Sequence, residues 1–177
     1  MSQRDSGYER KERDLYETPA WVTFALIEKL PFMNERSIWE PACASGKMVD
    51  AMKARGLEVD GTDIAGDPSI DFLGCGACHC SAIITNPPYE KAQEFIWQAL
   101  SLMRPNQGLV AMLLRTDFDH AKTRADLFAE HRAFAKKIVL TKRIRWFEDS
   151  AGSPSFNHAW FIWDWQHQGP PTLAYGP

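Results

Sequence analysis

Apolar residues recur at two spacings along this chain, and the two spacings alternate. Trp21, Phe24, Ala25 and Ile27–Leu30 fall on one helical face, predicting a helix from Ala20 to about Leu30. Thr18-Pro19 supplies its start, as an N-cap residue followed by proline in the first turn, and Pro31 ends it. Ser37-Ile38-Trp39 reads as a short buried strand, and Lys47 to Arg55 as a helix closed by Gly56. Leu57 to Ile64 reads as a second strand, Ile70 to Leu73 as a shorter extended piece, and Ala82 to Thr85 as an apolar β-rich run. Ala92, Phe95, Ile96, Ala99 and Leu102 define a helix over about Tyr89 to Met103. A continuous apolar strand, Leu109 to Leu114, follows the turn at Pro105–Gly108. The pattern then predicts a helix from about Ala121 to His131 and strands over Lys136–Thr141 and His158–Trp165. A long loop, Arg145 to Asn157, joins the last two strands.

Strand alternating with helix predicts a parallel α/β sheet with helices on both faces. Ligands of such sheets bind at the carboxyl ends of the strands. Glu40, Asp63, Asp71 and Asn86 all fall there, after or near successive predicted strands.

Composition narrows the class without changing the picture. The 177 residues fit one domain, expected over 15–168, with a flexible segment at 1–14 and an irregular tail at 169–177 that holds three prolines. Hydrophobic residues make up 45% and charged residues 24%, which is globular rather than disordered. A net charge of -3 excludes nucleic-acid binding through bulk positive charge, so such binding needs a local basic face. The polar N-terminus and the lack of a run of about 18 apolar residues predict neither a secretory leader nor a membrane span, hence a cytoplasmic protein. Cys75, Cys78 and Cys80 crowd around His79 and invite a zinc reading, but a structural zinc takes four ligands and a second pair is missing. The preferred reading is a loop with incidental thiols and no metal.

Two motifs carry chemistry. In Glu40-Pro41-Ala42-Cys43-Ala44-Ser45-Gly46, a turn of small residues between strand and helix lets a ligand approach the backbone. An acid at its head suits a cation better than a phosphate, and Met48 stands where a phosphate loop needs Ser or Thr. Asp63, 23 residues on, stands where an acid accepts hydrogen bonds from ribose hydroxyls. In Asn86-Pro87-Pro88-Tyr89, the prolines cannot extend a ladder and fix outward-facing carbonyls. Asn86 adds an amide acceptor and Tyr89 a stacking face, a set that can hold a planar amino-bearing group.

With Tyr16-Glu17-Thr18-Pro19, these motifs resemble the class I S-adenosylmethionine-dependent methyltransferases, most closely the DNA adenine-N6 enzymes. The resemblance spans about residues 15–165. It implies a Rossmann-like, seven-stranded, mostly parallel sheet with an antiparallel edge strand. It implies S-adenosylmethionine as cofactor, with Tyr16, Thr18 and Pro19 at its methionine end and Glu40 at its ammonium. Pro41, Ala42, Ser45 and Ile64 would lie along it, Asp63 would hold the ribose, and Asp71 with Phe72 would meet the adenine. Asn86 and the Pro87 carbonyl, with Pro88 and Tyr89, would bind the target amine. The family has glycine where this chain has Ala44, a costly change if the position needs a positive φ.

The candidate nucleic-acid face comprises Lys142, Arg143, Arg145, Trp146, Asn157 and His158, with Lys136, Lys137 and Phe147 nearby and Arg10, Lys11 and Arg13 in the N-terminal segment. Basic residues interleaved with aromatics suit phosphate contact and base stacking; a solvated edge strand is the alternative. DNA is the expected partner, with a second subunit or a homodimer compatible. Other amino acceptors (cytosine N4, an RNA base, a glutamine side chain) and a non-catalytic partner subunit remain as alternatives.

Overall fold

The computed structural model describes residues 16–30, 33–146 and 156–177. Its regular elements are α1 (Ala20–Ile27), β1 (Ser37–Glu40), α2 (Lys47–Lys53), β2 (Glu58–Gly61), β3 (Ala82–Thr85), α3 (Ala92–Met103), β4 (Leu109–Arg115), β5 (Phe134–Leu140), β6 (His158–Asp164) and β7 (Thr172–Gly176). The strands form one sheet in the order β2-β1-β3-β4-β6-β5-β7. All pairings are parallel except those of β6, which runs antiparallel to both β4 and β5. The antiparallel strand therefore lies inside the sheet, with β5 and β7 beyond it. Among the described residues no helix is long and apolar enough to cross a membrane.

The central strands are apolar on both faces because both faces are covered. Leu109, Ala111 and Leu113 of β4, with Trp160 and Ile162 of β6, point into a core shared with α1 and α2. Their alternates Val110, Met112, Leu114, Phe161 and Trp163 join α3 in a second core. Period-two alternation thus divides one apolar run between two layers. Two buried indoles tie the layers to the sheet: Trp160 Nε1 donates to the Val22 carbonyl at 2.9 Å and Trp163 Nε1 to the Leu127 carbonyl at 2.7 Å. Pairing satisfies N–H groups that would be costly to bury alone.

The structure departs from the sequence-based expectation at four elements, each for a local reason. Pro19, in extended conformation (φ −63°, ψ 146°), takes the N-cap position of α1 without a side-chain cap, and Thr18 is buried instead. Residues 70–73 make no strand: the Asp71 carboxylate accepts from Leu73 N at 3.0 Å and starts a 3-10 turn over Phe72–Gly74. The expected helix at 121–131 is a pair of 3-10 segments, Phe118–His120 and Lys122–Leu127, in which only Leu127 is buried. No apolar stripe is present there to support an α-helix. The tail is not irregular throughout: β7 pairs with β5 from Thr172 to Gly176, between prolines that fall outside the strand. Gly176 allows close packing, since a Cβ there would lie 3.1 Å from Ala25 Cβ of α1. The expected segment 1–14, the stop at Pro31 and most of the 145–157 loop lie outside the described residues.

Candidate cofactor cleft and acceptor pocket

The carboxyl end of β1 delivers Glu40 into a turn that is held by its neighbour strand. Thr62 N donates to the Glu40 carbonyl and Cys43 N to the Thr62 carbonyl, both at 2.9 Å. Asp63 then grips two loops at once: its Oδ2 accepts from Ala44 N at 2.9 Å and its Oδ1 from Ala65 N at 2.8 Å. The grip forces Ala44 to φ 47°, and Gly46 at φ 89° opens α2. An L-residue in the left-handed region carries a steric cost of about 1–2 kcal/mol. Ala44→Gly is therefore expected to stabilise the protein by about 0.5–1 kcal/mol after the extra unfolded-state entropy of glycine is subtracted. Chemical denaturation of the two proteins checks this, and an unchanged or lowered midpoint contradicts it.

A cleft, part of it open to solvent, lies over this turn between the 16–18 segment and Asn86. Glu40 forms its floor. The residue is 2% exposed, and Oε2 has no hydrogen-bond partner among the described residues. Burial, and next the charge of Asp63, push its carboxyl well above the usual carboxylate range. A buried carboxyl with an unpartnered oxygen is ionised at low cost only beside a cation. The adjacent Lys47 does not serve that purpose in the structure, because it pairs with Glu17 at 2.6 Å. Cys43 also lines the cleft, and burial followed by the Glu40 charge raises its thiol, which disfavours the nucleophilic thiolate.

The same cleft ends at Asn86, just past β3. Its Nδ2 donates to the Tyr16 carbonyl at 3.0 Å, which orients the amide and leaves Oδ1 buried with no partner among the described residues. Pro87 is buried, and Pro88 is extended (φ −57°, ψ 126°) before the 3-10 turn that carries Tyr89. Four rings gather here. Tyr16 lies 6.0 Å from Tyr89 and 5.5 Å from Trp146, and Trp146 meets His158 edge-on at 5.2 Å. The Tyr89 hydroxyl and His158 Nε2 are hydrogen-bonded at 2.9 Å. An oriented acceptor beside aromatic faces fits a planar amine-bearing group.

Burial, aided by Arg115, lowers the His158 imidazole to about 4. An unfolded histidine binds its proton near 6.5, so the unfolded state gains the proton first as pH falls. His158 thus contributes stability that is present above about 6.5 and lost as pH drops through about 4, on the order of 3 kcal/mol. His158→Gln is expected to flatten the stability–pH curve in that window. Denaturant midpoints measured across it test the assignment, and an unchanged slope counts against it.

Other candidates are placed differently. Ile64 is 51% exposed beside Asp63. Phe72 is buried against Trp39 at 5.3 Å and Phe95 at 4.8 Å, and neither it nor Asp71 lines the cleft. Lys142, Arg143, Arg145 and Asn157 are exposed; Lys142 sits over the Trp21 ring at 5.1 Å, and Arg143 Nε donates to Asn157 Oδ1 at 3.0 Å. Lys136 and Lys137 are committed to the framework rather than to an open face. Lys136 Nζ donates to the Lys29 carbonyl, and Lys137 Nζ to the Thr116 carbonyl and the Asp119 carboxylate. Phe147, Arg10, Lys11 and Arg13 lie outside the described residues.

Cys78 and Cys80 form a disulfide, so these two are not incidental thiols, while Cys75 and Cys43 are free. Among the described residues no group of three or more His, Cys, Asp or Glu is placed to hold a metal ion. Sequence reasoning missed Arg115, which lies over the Phe156 ring at 4.2 Å, pairs with Asp117 at 2.7 Å and stands opposite His158 in the β4–β6 ladder. It also missed the Lys47–Glu17 pair and the Tyr16 carbonyl. Backbone carbonyls leave no sequence signal, and Arg115 reads only as the polar end of an apolar strand.

No protein-family model and no curated protein sequence matches the chain. Solved structures do. A protein of Listeria monocytogenes provisionally described as a class I S-adenosylmethionine-dependent methyltransferase aligns with TM-score 0.61 and 16% identity, over 90% of this chain and 65% of its own. One of Pyrococcus horikoshii provisionally described as an RNA methyltransferase aligns with TM-score 0.63 and 13% identity, over 86% of this chain and 88% of its own. The methyltransferase subunit of a type I restriction-modification system of Streptococcus thermophilus aligns with TM-score 0.55 and 11% identity, over 90% of this chain and 47% of its own. The chain thus spans under two thirds of the Listeria protein and about half of the restriction subunit. At these identities the likeness concerns architecture: this chain has the Rossmann-like fold of class I methyltransferases.

Proposed function

We propose that this protein is an S-adenosylmethionine-dependent methyltransferase whose acceptor is the exocyclic N6 amine of adenine in DNA. The observation that carries the reading is the buried Oδ1 of Asn86, oriented by the Tyr16 carbonyl at the end of a cleft floored by Glu40, with neither that oxygen nor Glu40 Oε2 partnered among the described residues. The residues present fit the cofactor. Glu40 would meet its ammonium, the remaining lone pairs of Asp63 would accept the ribose hydroxyls, and Tyr16, Thr18 and Pro19 would flank the methionine end. Ala42 and Ser45 line the cleft and would give it a low wall, Pro41 is buried and does not line it, and the exposed Ile64 would offer an apolar surface to the adenine. Asp71 and Phe72 set the neighbouring loop through a cap and core packing rather than by contact.

The bound cofactor supplies an activated sulfonium methyl, so the protein's work is alignment and electrostatic support. Asn86 Oδ1 and the Pro87 carbonyl accept the two amine hydrogens, which favours a pyramidal nitrogen with a localised lone pair. Pro88 holds that carbonyl in place. Tyr89 stacks on the base, offsetting part of the few kcal/mol that extrusion from a duplex costs. Trp146 and His158 close the pocket, and Lys142, Arg143 and Arg145, with Asn157, face the phosphates. The restriction-modification neighbour adds support for a DNA substrate and for a partner subunit.

Methyl-labelled S-adenosylmethionine, offered with unmethylated duplex DNA, single-stranded DNA and RNA and followed by digestion to nucleosides, tests the proposal. Labelled N6-methyladenosine in its deoxy form is expected. Label confined to cytosine or to RNA overturns the acceptor assignment, and no label in any pool overturns the reading of a nucleic-acid methyltransferase.

A further inference from the structure

The ring cluster beside Asn86 draws one member from the antiparallel strand. Because β6 runs against its neighbours, its first residue lies at the end where the parallel strands finish. His158 is that residue, opposite Arg115, the last residue of β4. Thr116 N donates to the Asn157 carbonyl at 2.9 Å just outside the ladder, and Ala159 pairs with Val139 of β5. The backbone of His158 is therefore fixed from both sides, on a rigid element rather than a loop.

Its side chain is fixed too. The imidazole is 3% exposed, meets Trp146 edge-on at 84°, and lies 33° from the plane of the Tyr89 ring with centroids 6.3 Å apart. Its Nε2 contacts the Tyr89 hydroxyl at 2.9 Å. Tyr89 itself follows two prolines in a short 3-10 turn, with no strand or long helix to set its ring. The hydroxyl is at the far end of that ring, so a partner there fixes the plane more firmly than any contact near Cβ.

We propose that His158 is a positioning residue for the acceptor, holding the Tyr89 hydroxyl so that the ring presents one fixed face to the target base. This deepens the proposed function and rests on it. Contact between His158 and the base is not required. A general-base role is disfavoured, because an imidazole at about 4 is a weak proton acceptor and its Nε2 is already engaged. Ordering Tyr89 before the base arrives removes part of the entropic cost of stacking, so the effect belongs in acceptor binding.

A double-mutant cycle tests this with labelled S-adenosylmethionine and unmethylated duplex DNA of mixed sequence. His158→Ala is expected to raise the KM for DNA about tenfold, the value of one net hydrogen bond, with cofactor Kd unchanged. Tyr89→Phe, which keeps the ring and removes the hydroxyl, is expected to do the same. The double variant is expected to be no worse than either single one, because both remove one interaction. His158→Gln, whose amide reaches the same hydroxyl, is expected to restore KM to within about threefold. A merely structural histidine predicts something else: effects that multiply, no rescue by glutamine, and altered cofactor binding. That pattern overturns the proposal while the wild type still transfers methyl groups. Should His158→Ala not fold, Tyr89→Phe and His158→Gln still decide the matter: an unchanged KM in Tyr89→Phe overturns the proposal. A wild type that methylates no nucleic acid overturns both this inference and the reading beneath it, so the two failures are distinguishable.

Discussion

Replacing Asn86 with alanine is expected to slow methyl transfer by a factor of about 10²–10³, the usual cost of removing one preorganised hydrogen-bonding group from a reacting centre. Cofactor affinity is expected to change by less than about threefold, since in the proposed arrangement the lost atoms would meet the acceptor and not the ammonium. The split follows from the geometry. One Nδ2 hydrogen goes to the Tyr16 carbonyl, which fixes the amide with Oδ1 as its buried acceptor, without a partner among the described residues. Single-turnover rates with labelled cofactor, beside calorimetric binding, measure both quantities. Loss of cofactor binding along with transfer would place Asn86 in the cofactor site and refute the division of the cleft into two ends.

The second large effect concerns Glu40, where stability and binding are expected to move in opposite directions. Glu40→Gln keeps the shape and removes an ionisation that burial disfavours, so the free protein is expected to unfold at a higher temperature where pH exceeds the raised value of that carboxyl. The same change is expected to weaken S-adenosylmethionine binding by about 10–100-fold, the loss of a charge-assisted hydrogen bond to its ammonium. The pH dependence carries the sign. A carboxyl raised in the folded state contributes stability that is present below its unfolded pKa and lost as pH rises through the folded value. Binding of a cation favours the ionised form, so cofactor binding is expected to release a proton and to strengthen as pH rises through that raised value. Calorimetry in buffers of different ionisation enthalpy detects the released proton. A Glu40→Gln protein that binds S-adenosylmethionine as tightly as the wild type contradicts the ammonium assignment.

Much of this was legible in the sequence because the signals are local. Ile83, Ile84 and the Leu109–Leu114 run announce a sheet buried on both faces, and the two cores divide those residues by alternation. Glu40, Asp63 and Asn86 stood out as candidates because each follows a strand in an α/β pattern; Glu40 and Asn86 line one cleft, while Asp63 is tied to the Ala44 and Ala65 amides beside it. The cost at Ala44 was readable as well, and its φ of 47° bears it out. What was not legible depends on long-range partners. The side chains of Lys136 and Lys137 look like an open basic face until Lys29 and Asp119 arrive beside them. Phe72 looks available to a ligand until Trp39 and Phe95 pack on it. The strand β7 was hidden by its flanking prolines, although Leu173, Ala174 and Tyr175 have strand character and none of the prolines interrupts the pairing. The interior position of β6 rests on the pairing of distant segments, and it is what brings His158 to Tyr89.

A crystal structure of this protein with S-adenosylhomocysteine, the demethylated product, tests the central claim most directly. The account predicts the amine within hydrogen-bond distance of Glu40 Oε2, the ribose hydroxyls on Asp63, and the sulfur turned toward Asn86 Oδ1 with room for a methyl group between them. A product bound elsewhere, or bound in the cleft with its sulfur turned away from Asn86, would contradict it.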